Sequence, residues 1–520
     1  MNTAVRDYSI VGPERVRAFE DGLVDAHWYT TPLDREQLRV LMQRRNGPAI
    51  RDTLLWFILL GGSGYVAHRA WGTWWMIPAF FVYGTLYGSV SDSRWHECGH
   101  RTAFKTGWMN DAVYFIASFM VWREAVSWRW SHIRHHSDTI VVGRDPEIAF
   151  QRPMQARKPL KDFVGLTSNP GETKKILLNV IGRFTADELD YLPETERPKA
   201  IRTARIYFAI WIAVLGACLS LGSVEPLMFV VLPSFYGKWL LVAYGVTQHA
   251  GLAEDTLDHR LNSRSIRMNR VHRYLYWNMN FHTEHHMFPN VPFHALPALS
   301  EATKADFPPG YSGFTAAYRE IWLAYKTQKT SPNFFIDRTP LLPTSSRSIS
   351  PTHAESLTAG ASGAKAAGGA SPTLAPMPAR IPAGLLGKRD ALDQLDELES
   401  SEVPAGSLGG LGDTNGWLNV GESSALCLND VMRFDFGDET YAVYRLGDGE
   451  VRVTDGLCSH AKVHLCDGLV RDGQIECPKH NGRFDIETGK AMSRPVTVDL
   501  TVHEAREVDG RIEIRRRNVC

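Results

Sequence analysis

The stretch YWNMNFHTEHHMFP, residues 276–289, decides the fold. Within it His282, His285 and His286 stand at i, i+3 and i+4, positions that share one face of a helix. Three imidazoles on one face make a metal-binding surface. The same spacing occurs earlier in HIRHH, as His132, His135 and His136, and a two-histidine version occurs in HECGH, as His96 and His100. A single box of this kind is weak evidence, because paired surface histidines are common. Three boxes, two with identical spacing, are not what solvated or core histidines produce. A lone His249 follows another apolar run. These nine imidazoles suffice for two metal ions with four or five nitrogen ligands each, and imidazole suits Zn, Cu, Fe and Ni alike. His259, His272 and His294 are nearby and are read as supporting or unrelated. Among the acidic neighbours, Glu97, Glu284, Asp138 and Asp145 are the candidates to orient ligating rings by accepting their second N–H.

Outward from the boxes, the chain alternates apolar runs with polar loops. Residues 53–70 and 74–90 form one apolar pair, and 206–221 and 226–245 a second, each near the minimum for a membrane span. Gly61, Gly62 and Gly64 would weaken a soluble helix but are tolerated in lipid. The run 112–121 is too short to span and reads as an interfacial hairpin that returns the chain to the side of HECGH. Residues 144–203 are polar and proline-rich and read as a cytosolic insert. Many of the 15 tryptophans sit near run ends, as in interface belts. Lys and Arg crowd the long loops, which puts the N-terminus, every histidine box and the C-terminus in the cytoplasm. Residues 1–20 have no apolar core and so do not read as a cleaved signal peptide. The formal net charge of +0 gives no basic field and excludes nucleic acid as a partner.

From 338 to 415 Pro, Ser, Thr, Ala and Gly dominate, as expected for a flexible linker. The acidic run 391–399 is equally consistent with a short helix or a solvated stretch. Residues 416–520 have short alternating runs broken by Gly-Asp turns, a small β domain. It carries Cys458-Ser-His460 and Cys477-Pro-Lys-His480, that is C-x-H and C-x-x-H. Two thiolates and two imidazoles suit a tetrahedral zinc site as well as an iron–sulfur cluster. The seven cysteines are otherwise no disulfide framework.

With these motifs in hand, residues 50–300 resemble the integral-membrane fatty-acid desaturase and hydroxylase superfamily. HECGHRTAFKT, SHIRHHSDTIVVGRDPEI, QHAGLAEDTLDHRLN and YWNMNFHTEHHMFP are similar to bacterial hydrocarbon-oxygenase-like members of the type named in rhizopine catabolism. The resemblance implies a di-iron centre, O2 as co-substrate and C–H cleavage. Acyl-CoA desaturases have four residues inside the first box; this chain has three, which puts an acyl-CoA substrate in doubt. The β domain resembles Rieske ferredoxins in 458–465 and 477–484, with Asp485 and Gly489 following. This implies a [2Fe–2S] cluster with Cys458 and Cys477 on one iron and His460 and His480 on the other. Val463 and Lys479 stand where high-potential Rieske proteins have a further cysteine in each loop, which suggests a low-potential donor.

The expected architecture is an α-helical membrane domain, with four transmembrane helices plus cytosolic helices carrying the histidine boxes, followed by an all-β Rieske domain. The expected divisions are a cytoplasmic segment (1–51), the membrane di-iron domain (52–337), the linker (338–415) and the Rieske domain (416–520). The expected activity is O2-dependent C–H hydroxylation, including oxidative O-demethylation where the carbon bears an ether oxygen, with lipid acyl desaturation as the alternative. A non-catalytic membrane redox or metal-sensing protein is the rival of another class. Gly61-Gly-Ser-Gly64 is not followed by a phosphate-binding helix, so a separate NAD(P)H-dependent flavoprotein ferredoxin reductase is the expected electron source. The expected substrate is an apolar or methoxy-bearing small molecule or lipid, and the expected location is a bacterial inner membrane.

Overall fold

A computed structural model describes residues 6–24, 26–339, 416–437, 439–460, 462–479 and 481–516. Among the described residues, those up to 339 form helices joined by loops, and those from 416 on form strands. The helix Asn46–Arg69 has the apolar run LLWFILL, residues 54–60, at its centre. Gly64 within it lets the Tyr83 ring approach, with a would-be Cβ only 3.1 Å from that ring. The next rod is continuous from Met76–Gly84 through a π turn at Thr85–Ser89 into Val90–Gly99. Gly107–Met120 then folds the chain back, burying Val113, Tyr114 and Ala117. Glu124 starts Ala125–Ser137 by accepting from the backbone N–H groups of Val126 and Ser127 at 3.0 and 2.6 Å.

Among the described residues one helix, Glu194–Leu221, is long and apolar enough to cross a membrane. The run expected as a fourth span, 226–245, is not one helix. It breaks into Glu225–Val230, Pro233–Tyr236 and Trp239–His249. Pro233 cannot continue the ladder of the preceding turn, and the chain turns at Gly237 so that its backbone can cross that of Gly84. A Cβ on Gly237 would lie 1.8 Å from the Gly84 carbonyl oxygen. Ser89 Oγ donates to the Gly237 carbonyl at 2.6 Å and accepts from Leu241 N–H at 2.9 Å, which ties the broken run to the π turn. Gly237→Ala is therefore expected to lower stability by about 1–3 kcal/mol, the usual cost of overpacking. Thermal unfolding of the purified protein checks this; an unchanged midpoint would mean that the two runs do not meet there.

Large apolar side chains stay exposed at the end of the bundle far from the histidines. Ile58, Trp74, Trp75, Ile77, Leu219 and Leu221 are among them. The expected cytosolic insert is no free-standing loop. Its helix Asn169–Val180 packs on Arg197–Leu221, and Asn169 donates to the Ser234 carbonyl at 3.0 Å. The helical region also reaches past 337, since Arg338 is buried and donates to the Ser263 carbonyl at 3.1 Å. The acidic run 391–399 and the linker from 340 to 415 lie outside the described residues.

Among its described residues the β region has ten strands: β1 (Trp417–Glu422), β2 (Asp430–Phe436), β3 (Glu439–Arg445), β4 (Val451–Asp455), β5 (Leu469–Arg471), β6 (Gln474–Glu476), β7 (Arg483–Asp485), β8 (Ala491–Ser493), β9 (Val502–Val508) and β10 (Arg511–Arg515). The larger sheet runs β1-β10-β9-β4-β3-β2 and the smaller β5-β6-β7-β8, with every pair antiparallel. Alternate side chains such as Val443, Val453, Ile512 and Ile514 turn inward in the larger sheet, as the period-2 pattern requires. The smaller sheet carries both Cys-His loops at one end.

Candidate metal centre

Four helix ends converge on one place. Val90–Gly99 delivers His96 and, as its cap, His100; Ala125–Ser137 delivers His132, His135 and His136; Trp239–His249 ends in His249; His282–Met287 delivers His282, His285 and His286. The i, i+3, i+4 spacing puts each set on one face, and those faces meet. Two groups result, His96, His100, His136 and His285, and His135, His249, His282 and His286; within each, one ligand atom per residue lies within 4.8 Å of all the others. His132 joins the first group at its edge, its Nε2 3.1 Å from His100 Nε2. The groups adjoin through His136 and His286, whose rings stack at 4.3 Å. All nine imidazoles come together, His249 included.

In the second group, Nε2 of His282 lies 2.9 Å from that of His249 and 3.0 Å from that of His286. Nitrogens held at about 2.0–2.1 Å from one first-row ion sit about 3 Å apart at right angles, so these spacings fit a shared ion. Both ring nitrogens of His96, His136 and His285 are buried without a hydrogen-bond partner. Buried polar atoms ordinarily have one, and a metal bond supplies what is missing. Burial, reinforced by the neighbouring imidazoles, holds His96, His136, His282, His285 and His286 well below the usual histidine range. His249 is pushed down to about 3, mainly by burial. Neutral imidazole is the form that binds metal.

The second ring nitrogens are held by partners that aim the first ones inward. His135 Nδ1 lies 2.8 Å from Asp145 Oδ2, His132 Nδ1 3.1 Å from Glu147 Oε2, and His249 Nδ1 2.8 Å from the Asn262 carbonyl. Glu97 is buried between His96 and His285, 3.5 and 3.6 Å from their Nδ1 atoms. Burial pushes its carboxyl up to about 8. Of the four acids expected to orient rings, Asp145 and Glu97 are in place. Asp138 instead pairs with Arg134 and Arg144, and Glu284 accepts from Ser265. His259 lies 5.3 Å from the His286 ring and stacks on Trp28, whereas His272 bonds Tyr244 at 2.7 Å, away from both groups. Glu147 was not legible in the sequence; its only signal is a carboxylate in the GRDPEI loop after the second box. Glu147→Gln is expected to weaken metal retention about 10–100-fold, as removal of such a partner does. Titration with a metal chelator checks this, and retention equal to the parent would remove Glu147 from the site.

A cavity of about 320 Å³ opens beside the second group, lined by His135, His249, Glu147, Trp128, Arg123 and Lys238 among others. Its charges are paired: Arg123 donates to Asp92 at 2.6 Å, and Lys238 lies 3.4 Å from the Asp162 carboxylate.

In the β region, Cys458 and Cys477 are buried in one cluster with Leu465 and Phe484. Each begins a matching loop. Cys458 N–H donates to the Val463 carbonyl at 2.9 Å, and Cys477 N–H to that of Gly482 at 2.8 Å. Lys462 and Asn481 take positive φ at equivalent places. His460 is half-buried at the end of the first C-x-H, and His480 lies outside the described residues. Two thiolate donors on paired loops fit a [2Fe–2S] cluster.

The fatty acid desaturase family model matches residues 72–318, and the Rieske [2Fe-2S] domain model matches residues 416–504. Over 107 residues the chain is 33% identical to the ferredoxin component of the naphthalene 1,2-dioxygenase/salicylate 5-hydroxylase systems of Ralstonia sp, which takes in 20% of this chain and 97% of that one. It is 42% identical over 78 residues to the anthranilate 1,2-dioxygenase ferredoxin subunit of Burkholderia cepacia, covering 15% of this chain and 71% of that one. It is 36% identical over 83 residues to the cholesterol 7-desaturase of Caenorhabditis elegans, covering 16% of this chain and 19% of that protein. Residues 72–318 thus match the fatty acid desaturase family model, and over 416–504 the chain belongs to the Rieske [2Fe-2S] family; together they make it an O2-dependent oxidoreductase whose two parts imply a di-iron site and a [2Fe–2S] cluster.

Proposed function

We propose that the protein is a membrane-bound oxygenase that hydroxylates a C–H bond, with electrons supplied by its own Rieske domain. The observation that carries this reading is the pair of histidine groups beside a cavity, with the second Cys-His loop packed against the same end of the bundle. The nine histidines would hold two irons: His96, His100, His132, His136 and His285 one, and His135, His249, His282 and His286 the other. Cys458, His460, Cys477 and His480 hold the cluster. Bound there, the iron pair supplies O2 activation. The reaction balances as RH + O2 + 2 e⁻ + 2 H⁺ → ROH + H2O, and a cluster held by Cys458, His460, Cys477 and His480 would supply single-electron transfer from a separate NAD(P)H-dependent flavoprotein reductase. The protein's own groups do the rest. Asp145, Glu147 and the Asn262 carbonyl keep the Nδ1 protons of their rings, so that Nε2 faces inward. The buried walls exclude water, and the cavity positions the substrate.

The paired charges in the cavity wall suit a compact substrate with a polar group better than a long acyl chain, which favours hydroxylation over acyl desaturation. If the hydroxylated carbon bears an ether oxygen, the product loses formaldehyde and the reaction is an O-demethylation. The apolar belt at the far end, with Trp74 and Trp75 at its edge, supports a membrane-embedded bundle with the histidine end and the Rieske domain in the cytoplasm. The four expected runs would supply it, the last as a broken span packed against protein. The divisions at 52, 338 and 416 are proposed with the shift that Arg338 requires. Cells with and without the protein, grown in ¹⁸O2 and surveyed by mass spectrometry, test the chemistry. A product gaining one ¹⁸O is expected. A product that has lost two hydrogens without gaining oxygen would make the enzyme a desaturase.

A further inference from the structure

The Rieske domain is seated on the helical domain, and charge complements charge across the seat. Arg35, Arg39 and Arg44 lie on the helical side, Asp430 and Glu476 on the other. Arg39 pairs with Asp430 at 2.8 Å, and Arg35 donates to the Val431 carbonyl at 2.6 Å. Arg44 pairs with Glu476, and both side chains are nearly buried, 11% and 6% exposed. At the other margin Arg494 meets Glu196 at 2.5 Å. Leu469 packs into the apolar cluster of Leu41, Met42 and Met287 between them. An ion pair this buried holds one register, because breaking it strands a charge.

Inside this ring of contacts the second Cys-His loop touches the metal centre. Asn481 Nδ2–H donates to the backbone carbonyl of His100 at 2.6 Å. Its own N–H donates to the Cys477 carbonyl at 3.2 Å. Asn290, four residues beyond His286, donates to the same Cys477 carbonyl at 3.1 Å. Asn481 also follows His480 directly in the chain. One residue is thus bonded through its backbone N–H to Cys477 and through its side chain to His100 of the first histidine group.

Resting on the reading of the Rieske domain as electron donor, we propose that Asn481 is the bridge through which the electron crosses, and that it enters at the iron held by the His100 group. In the step, one electron leaves the reduced [2Fe–2S] cluster and one ferric ion at the histidine site becomes ferrous; no bond is made or broken. Asn481 is a positioning residue here: it joins Cys477 to His100 by two hydrogen bonds where a gap would otherwise stand. Its φ of +58° suits Gly as well as Asn, so Asn481→Gly removes the bridging amide while keeping the loop conformation.

The test uses the full-length protein, its cluster pre-reduced without O2 and then followed by its visible absorption as O2 is admitted. His285→Ala, lacking the metal site, gives the background rate of direct oxidation. Asn481→Gly is expected to slow reoxidation by about tenfold or more, with the cluster's EPR signal and midpoint potential unchanged and hydrogen-exchange protection of 476–483 retained. Asn290→Ala, which touches Cys477 but no metal-group histidine, is expected to stay within about twofold of the parent. An unchanged rate in Asn481→Gly overturns the bridge. So do equal losses in both variants with protection gone, which would make Asn481 only a docking contact. Cys458→Ser separates this from the wider reading: if that variant still turns over with the reductase, the Rieske domain is not the donor; if it is inactive while Asn481→Gly is normal, only the bridge fails.

Discussion

His285→Ala yields a protein that keeps its red-brown colour and its Rieske EPR signal but has lost O2-dependent turnover. His285 is fully buried in the first histidine group, its ring 4.5 Å from that of His96 and 4.8 Å from that of His100. Ala removes one ligand and leaves a hole among the remaining buried imidazoles of the group. Loss of a supporting partner alone costs 10–100-fold in affinity or activity, so loss of the ligand is expected to cost at least about 100-fold in turnover. Iron analysis gives the second reading, a fall toward the cluster's share alone. His249→Ala is expected to behave in the same way through the second group, whereas His272→Ala, tied to Tyr244 and remote from both groups, is expected to be mild. A His285→Ala enzyme with full activity would remove the third box from the chemistry.

Cys458→Ser is the reciprocal case. Cys458 is 1% exposed and anchors a loop closed by its bonds to Val463 and Lys462. Serine keeps that shape but supplies a poorer iron ligand, so the cluster's absorption and EPR signal are expected to vanish. Iron should fall by about two atoms per chain, while the histidine site keeps its own. Reductase-driven turnover is expected to drop to background. Turnover that persists would mean that electrons reach the histidine site without the cluster.

The boxes were legible because helical spacing is local: i, i+3 and i+4 fall on one face whatever the rest of the chain does. That four such faces would meet, with His249 among them, depends on where helices end in space. Glu147 escaped notice because the chain turns back through Ile140 and Gly143, both at positive φ, before bringing its carboxylate to His132. The fourth apolar run read as a continuous span because hydropathy does not register backbone crossing. Pro233, together with Gly237 against Gly84, breaks it. In the sequence Arg44 is simply one of the basic residues of the polar N-terminal segment; its partner Glu476 is 432 residues away and invisible to any local pattern. The β domain was easier, since its strands alternate with period two and its ligand motifs are short.

Iron and acid-labile sulfide counted per chain in the same purified sample test the account most directly. Two histidine groups and one [2Fe–2S] cluster require about four iron atoms and about two sulfides. About two irons with two sulfides, and zinc or no metal at the histidines, would contradict it.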